Sequence, residues 1–422
     1  MGFNLVAAFI FLFFSFAALK RSPVSAYISA LIAFTYISGI LVGNFPTDVG
    51  FSLVINFIFI ALILLAFCCT FRGKKIFWIK EDYSIVTQKW FLFSLSLMLT
   101  IVTATNILIV YSSISYVLGG NIDITAFKNQ GGAAEMIRVW ADPRLVFLSY
   151  GFSPLAYFSL ALHFYFIFRG RVFLSLVFFI FSLNIPLVGL HSLSRSSIVH
   201  YFLLYFLIYC ACYGGIPDKV KRKVNLIAGL FFTGIVAIFA LITTSRFSGS
   251  SFSTIPGNSF VSSPILYSIL NYASQWIVNS IGALEDFSLN HIWFGKSTFT
   301  VFDIVTGMIG FDTVDYGDLR QETLGQYSTK FIGLVATLVY EFSYIGAIYY
   351  VCLFYLFFRF LAPGRFEMRV SGILILIVFS SQPLMFFTNN YLGNTMYAIG
   401  AFYAIMIYIL SNFFVKLNVP KY

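Results

Sequence analysis

The sequence predicts an all-α polytopic membrane protein with about 11 transmembrane helices, in a range of about 10–12. Composition is the first reason. The 422 residues are 59% hydrophobic and 10% charged, whereas a soluble domain carries about 25% charged residues. Mean hydropathy is +0.89. The second reason is arrangement: the apolar residues fall into separate runs, most of them near the roughly 20 residues that cross a hydrocarbon layer. The third is physical. Only helices satisfy every backbone group within such continuous runs.

The runs cover 3–19, 24–43, 51–71, 90–111, 146–168, 172–190, 198–213, 224–243, 331–358, 370–388 and 395–415. The first resembles a signal peptide, and Val24-Ser25-Ala26 resembles a cleavage site. No positive charge precedes it and a second run follows at once, so it reads as the first span. Connections alternate between the two sides. One side collects 18 of the 26 Lys and Arg residues, including Lys74, Lys75, Lys221 and Arg222. That side is expected to be cytoplasmic, which puts the N-terminus outside and the C-terminus inside. Twelve of the 16 acidic residues fall on the opposite side. The net charge of +10 is therefore mostly a sorting signal, and no nucleic-acid partner is implied. The five cysteines all lie in or beside apolar runs, so neither disulfides nor a Cys-based metal site is expected.

Spans 1–8 occupy residues 1–243 and spans 9–11 residues 331–422. The outer side carries two long connections, about 112–145 and 244–330. A structureless loop of the second size is disfavoured. Within it, PILYSILNYASQWIVNSIGAL (264–284) repeats Asn271, Gln275 and Asn279 at every fourth residue. One polar stripe on a helix predicts an amphipathic segment at the outer interface. Cytoplasmic connections are short, so function is expected on the outer face.

Arg195 lies in SLSRSSI at the end of a span, and Arg246 in TTSRFSG at the outer end of another. A cation at that depth is expensive and points to function, although an Arg can also snorkel to headgroups or cap a helix C-terminus. A guanidinium offers a planar fork of donors that matches phosphate oxygens, so the pair could grip a diphosphate. Ser194 and Ser196 flank Arg195 as further donors. Arg138, in EMIRVWADPRL, is a third candidate; Arg144 precedes a span and reads as an anchor. Glu341 is the only acid inside an expected span. A buried carboxylate must be neutral, paired or functional, and pairing with an outer Arg would merely lock the bundle. His191, His200 and His291 are candidate bases, each more simply read as a structural histidine. Asp303, Asp312, Asp315, Asp318 and Glu322 cluster without the spacing of a Ca²⁺ loop. P-loop, dinucleotide and zincin motifs are absent.

Three stretches carry a family resemblance. SLSRSSIV (192–199) resembles the Arg-containing turn of bacterial oligosaccharide repeat-unit polymerases, the Wzy-type O-antigen polymerase family. GKSTFTVFDIVTGMIG (295–310) resembles a stretch late in their large external loop. In TLVYEFSYIGAIYY (337–350), Thr337, Glu341 and Gly346 match their Thr-x-x-x-Glu-x-x-x-x-Gly helix. The resemblance covers about 150 residues and rests on the order of these features. It implies a GT-C-like inner-membrane glycosyltransferase acting at the periplasmic face on undecaprenyl-diphosphate-linked glycans, beside membrane lipid and a chain-length-regulating protein. The implied reaction transfers the growing chain from its lipid diphosphate to a fresh lipid-linked unit, in O-antigen or a related surface polysaccharide. Arg195 and Arg246, assisted by Arg138, would stabilise the leaving diphosphate; Glu341, then His291, would accept the hydroxyl proton. No cofactor and no metal is needed. An O-antigen ligase, or a flippase or transporter for the same glycans, is the alternative.

Overall fold

The computed structural model describes residues 1–46, 50–80, 88–118, 137, 141–192, 194, 196–226, 229, 230, 233, 255, 257–308, 316–362 and 366–418. The chain is an α-helical membrane protein. Six described helical stretches are long and apolar enough to cross a membrane: Pro23–Val42, Phe51–Thr70, Lys89–Tyr116, Pro143–Phe168, Val172–Leu190 and Gly333–Leu361. Four shorter apolar helices, Gly2–Ala18, Ser196–Cys212, Val370–Leu384 and Thr395–Ser411, coincide with further expected runs. The eighth expected run, 224–243, falls mostly outside the described residues. Two compact units divide the chain. Unit 1 comprises Met1–Lys75, Leu241–Phe360 and Ser380–Ala398; unit 2 comprises Ile76–Ala240, Leu361–Phe379 and Ile399–Tyr422.

Unit 1 begins with α1 (Gly2–Ala18), α2 (Pro23–Val42) and α3 (Phe51–Thr70). Pro23 opens α2 and Gly43 closes it at φ 80°, the left-handed C-terminal position where glycine costs least. Tyr36 of α2 lies between Phe11 and Phe57, with ring centroids 6.2 and 5.8 Å away. It also meets Trp276 edge-on at 5.5 Å, and Trp276 meets Phe386 at 5.2 Å. A Cβ on Gly39 would lie 3.0 Å from both Asn4 and Ile277, so only glycine admits both neighbours at their present distance.

The large connection folds, as its length requires. It forms α10 (Pro264–Ser274), α11 (Trp276–Glu285), α12 (Thr300–Met308) and α13 (Tyr316–Leu324), numbered after the helices of unit 2 described below. The amphipathic segment expected over 264–284 is divided at Gln275 and only half of it suits an interface. α10 exposes Ile265, Leu266 and Ile269. α11 instead buries Trp276, Ile277, Ile281 and Leu284. The polar stripe has a structural use: Asn44 donates to Asn271 (2.7 Å) and Asn279 to the Phe331 carbonyl (3.2 Å). Tertiary hydrogen bonds therefore engage two of the three stripe residues, a use that periodicity alone cannot distinguish from exposure to water.

The helix α14 (Gly333–Leu361) starts at Gly333, φ 75°. Its first amides are capped by the chain beyond the next helix: Gly333 and Leu334 donate to the carbonyls of Thr388 and Phe386 (2.6 and 2.8 Å), and Ile332 donates to Asn389 Oδ1 (3.0 Å). α14 is broken at Ser343, where φ is 67° and ψ 175°. The ninth run is therefore helical on both sides of a break at Ser343.

Unit 2 contains α4 (Lys89–Leu118), α5 (Pro143–Phe152), α6 (Ala156–Phe168), α7 (Val172–Ser182), α8 (Asn184–Leu190) and α9 (Ser196–Cys212). α4 runs one to two turns beyond the expected span. A 3₁₀ turn containing Pro154 separates α5 from α6, because proline removes a helical hydrogen bond. Asn106 is the hub of a buried polar network. It donates to Ser153 (2.9 Å) and Asn184 (2.7 Å) and accepts from Ser149 (2.5 Å). Two three-residue strands, β1 (Trp78–Lys80) and β2 (Glu367–Arg369), pair in parallel with Trp78 opposite Glu367. Lys80 and Glu367 form an ion pair beside them. The last helices are α15 (Val370–Leu384) and α16 (Thr395–Asn418).

Candidate functional site

Glu341 is the best-defined candidate, and its surroundings lie within unit 1. Its side chain is fully buried, two residues before the break at Ser343. A helix continuing through Ser343 would leave the carboxylate in the middle of a span. The break changes this. The half beyond it, Tyr344–Leu361, is 18 residues long, or about 27 Å at 1.5 Å per residue, close to the roughly 30 Å of hydrocarbon. That half is long enough by itself for a crossing, and Glu341 lies three residues ahead of it. Ser343 Oγ accepts from the Gly346 amide at 3.5 Å, the geometry of a helix N-cap.

The carboxylate is held by the turn that enters α12. Ser297 N donates to Oε1 at 2.7 Å and Thr298 N to Oε2 at 3.2 Å. Gly295, at φ 80°, and Phe294, at φ 50°, shape this turn. A Cβ on Gly295 would lie 2.6 Å from the Phe299 ring and 3.0 Å from Phe342. The Trp293 amide donates to the Tyr340 carbonyl (2.7 Å), fastening the turn to α14 just ahead of the break. A chain of side chains leads into the same place. Tyr350 donates to Gln382 (2.9 Å), Gln382 to Asn390 (2.9 Å), and Asn390 Nδ2 to Thr298 Oγ1 (2.8 Å).

Several polar atoms nearby have no hydrogen-bond partner among the described residues: Ser297 Oγ, Tyr316 OH, Arg320 Nε and His291 Nδ1. Gly393 brings two of them together, since its Cβ would stand 3.1 Å from Ser297 Cβ and 3.6 Å from the Tyr316 ring. The Arg320 guanidinium lies 5.7 Å from the centre of the Tyr316 ring and donates from Nη2 to the Lys330 carbonyl (3.0 Å). Burial pushes the Tyr316 phenol up to about 12; Arg320 opposes this shift and the Glu341 carboxylate adds to it. Lys296 is paired with Asp303 at 2.9 Å. Among the described residues no ion pair reaches Glu341; pairing with Arg138, Arg195 or Arg246 would lie outside those residues.

The other candidates are distributed as follows. His291 closes a short 3₁₀ turn, Leu289–His291, in unit 1, and no hydrogen bond joins it to Glu341. Ser194 lies between α8 and α9 of unit 2 and Ser196 opens α9, their hydroxyls 2.8 Å apart. His191, also between these two helices, is fully buried, with Tyr150 edge-on at 6.1 Å. Arg138, Arg195 and Arg246 lie outside the described residues. Among the described residues no group of three or more His, Cys, Asp or Glu side chains is placed to hold a metal ion.

Sequence reasoning singled out GKSTF and Glu341 separately, but not their contact. It missed Asn390, Gln382, Tyr316 and Arg320 altogether. The available signal was local: Gly295 followed by Ser297 and Thr298 is the composition of a tight turn leading into a helix. No family model, characterised protein or solved structure matches the chain.

Proposed function

We propose that the protein is a membrane glycosyltransferase of GT-C-like architecture with about 11 spans, which polymerises lipid-diphosphate-linked oligosaccharide repeat units. The proposed setting is the bacterial inner membrane, with the reaction at the periplasmic face, the N-terminus outside and the C-terminus inside. The uneven division of Lys and Arg supports this orientation. The observation that carries the reading is Glu341: a fully buried carboxylate at a helix break, held by two backbone amides, with no cation paired to it among the described residues. Two amide donors occupy only part of the acceptor capacity of a carboxylate. The remaining lone pairs can take the proton of an acceptor hydroxyl.

In the proposed step the acceptor oxygen bonds to the anomeric carbon of the donor. The bond from that carbon to the lipid diphosphate breaks, and the diphosphate leaves with the bonding electrons. The proton passes to Glu341, or to His291 as second candidate. Arg195, Arg246 and Arg138, with the hydroxyls of Ser194 and Ser196, would hold the charge that builds on the diphosphate. Neither metal nor cofactor enters this scheme.

A second reading has one observation in its favour. Broken membrane helices line the substrate paths of transporters, and α14 is broken at Ser343. A flippase for lipid-linked glycans would use the same break without making a bond, and a ligase would use the same donor with a different acceptor. Purified protein incubated with synthetic lipid-linked repeat units, and no other acceptor, distinguishes the three. A ladder of polymer is expected. Binding of the units without a ladder would overturn the polymerase reading.

A further inference from the structure

We propose that the N-terminal face of α12, with the turn ahead of it, rests in the lipid bilayer through Phe294, Phe299 and Phe302. These three side chains are 84%, 50% and 65% exposed and lie within eight residues of one another in sequence, outside the apolar spans. Charge is kept off this surface. Lys296 and Asp303, the nearest ionised groups in sequence, are paired with one another and are 17% and 32% exposed.

The occupant follows from where the patch is fastened. Phe299 meets Phe302 at 6.1 Å and Phe342 at 6.4 Å. Phe342 is the last residue before the break in α14, and its ring stacks on Tyr350 at 5.7 Å. In a straight helix those two residues would be about 12 Å apart along the axis. The break therefore folds Phe342 back beside the upper turns of Tyr344–Leu361, the half long enough to cross the membrane. Those turns expose Ile345, Ile348 and Tyr349, at the i, i+3, i+4 spacing of one lipid-facing stripe. Phe299 is joined to these turns through Phe342, and Phe302 is joined to Phe299. An amphipathic helix with an aromatic face and paired charges suits the zone between headgroups and acyl chains. The occupant is thus the bilayer itself, and α12 fixes the Glu341 turn at its surface. This inference stands whether or not the glycosyltransferase reading does.

Nitroxide labels placed at 294, 302 and 322, in a chain whose native cysteines are replaced, test it after reconstitution into vesicles of phosphatidylethanolamine and phosphatidylglycerol. Collisions with lipid-soluble oxygen and with a water-soluble nickel chelate are compared by electron paramagnetic resonance. Labels at 294 and 302 are expected to lose nickel collisions and retain oxygen collisions, whereas 322, on α13, meets nickel freely. Equal nickel access at 302 and 322 would overturn the proposal. So would protection of 302 from both reagents, which would put protein rather than lipid on this face. Phe302→Trp, which leaves the backbone and the paired charges untouched, gives a second reading: its added fluorescence should be quenched by brominated lipid and not by aqueous iodide.

Discussion

The two units each bury a cluster of polar groups among apolar helices, and the clusters are built on opposite principles. Around Asn106 in unit 2 both amide N–H groups and the amide oxygen are engaged. Asn106 makes two donations and one acceptance; Asn184 accepts from it and donates to Thr103 and to the Phe181 carbonyl, each at 2.8 Å. Such a network ties α4, α5 and α8 together. Around Glu341 in unit 1, some buried polar atoms, Ser297 Oγ and Tyr316 OH among them, lack a close hydrogen-bond partner among the described residues, and two non-glycine residues adopt positive φ, Phe294 at 50° and Ser343 at 67°. Strained backbone costs about 1–3 kcal/mol per residue and persists where the surroundings enforce it, often at functional sites. The difference teaches which buried polarity is glue and which is available for chemistry. Satisfaction, not burial, separates them.

The largest expected effect is on turnover. Glu341→Gln keeps the size of the side chain but removes the proton acceptor, and polymer formation should fall about 10²–10⁴-fold, the usual contribution of a general base. Thermal unfolding should move far less. Unchanged turnover would make Glu341 a structural tie and erase the contrast between the clusters. Asn106→Leu should do the reverse. Leaving Ser149, Ser153 and Asn184 with unmatched groups should cost about 1–3 kcal/mol, read from unfolding in detergent, with turnover per folded molecule preserved.

A smaller effect is expected at the break. Ser343→Gly relieves a backbone conformation that suits glycine and loses only the N-cap hydroxyl, so unfolding stability should rise by about 1 kcal/mol. Ser343→Val should lower it, because a β-branched residue tolerates positive φ poorly. The smallest effect is one of pH. Burial pushes the Tyr316 phenol up to about 12 in the folded chain, from an ordinary value of 10.0. Deprotonation therefore favours the unfolded state. The stability contributed by the neutral phenol is complete below pH 10 and is lost as pH rises toward 12. Tyr316→Phe should flatten alkaline unfolding across that window. An unchanged slope would mean that the phenol is not held neutral by burial.

Much of the fold was legible because membrane insertion is a local property. Hydropathy over 20 residues decides whether a helix can cross, and all the expected runs with described residues along their length are helical. Glu341 was legible for the same reason: one acid in an apolar run is conspicuous. The segment 264–284 was not. Its period predicts a helix with two faces, but water, lipid and a neighbouring helix can each satisfy a polar stripe. Only the packing of Trp276 against Tyr36 and Phe386 put α11 inside.

By itself, then, the sequence determined that this chain is a helical membrane protein, where its described runs become helices, and that Glu341 is its exceptional acid. The tertiary structure alone decided that α14 breaks beside that acid, that the Ser297–Thr298 turn holds the carboxylate, and that Phe299 and Phe342 meet. The reason is range. Helix formation and membrane partition are summed over neighbours in sequence, whereas Ser297 and Glu341 are 44 residues apart, and their hydrogen bond exists only once both segments are in place.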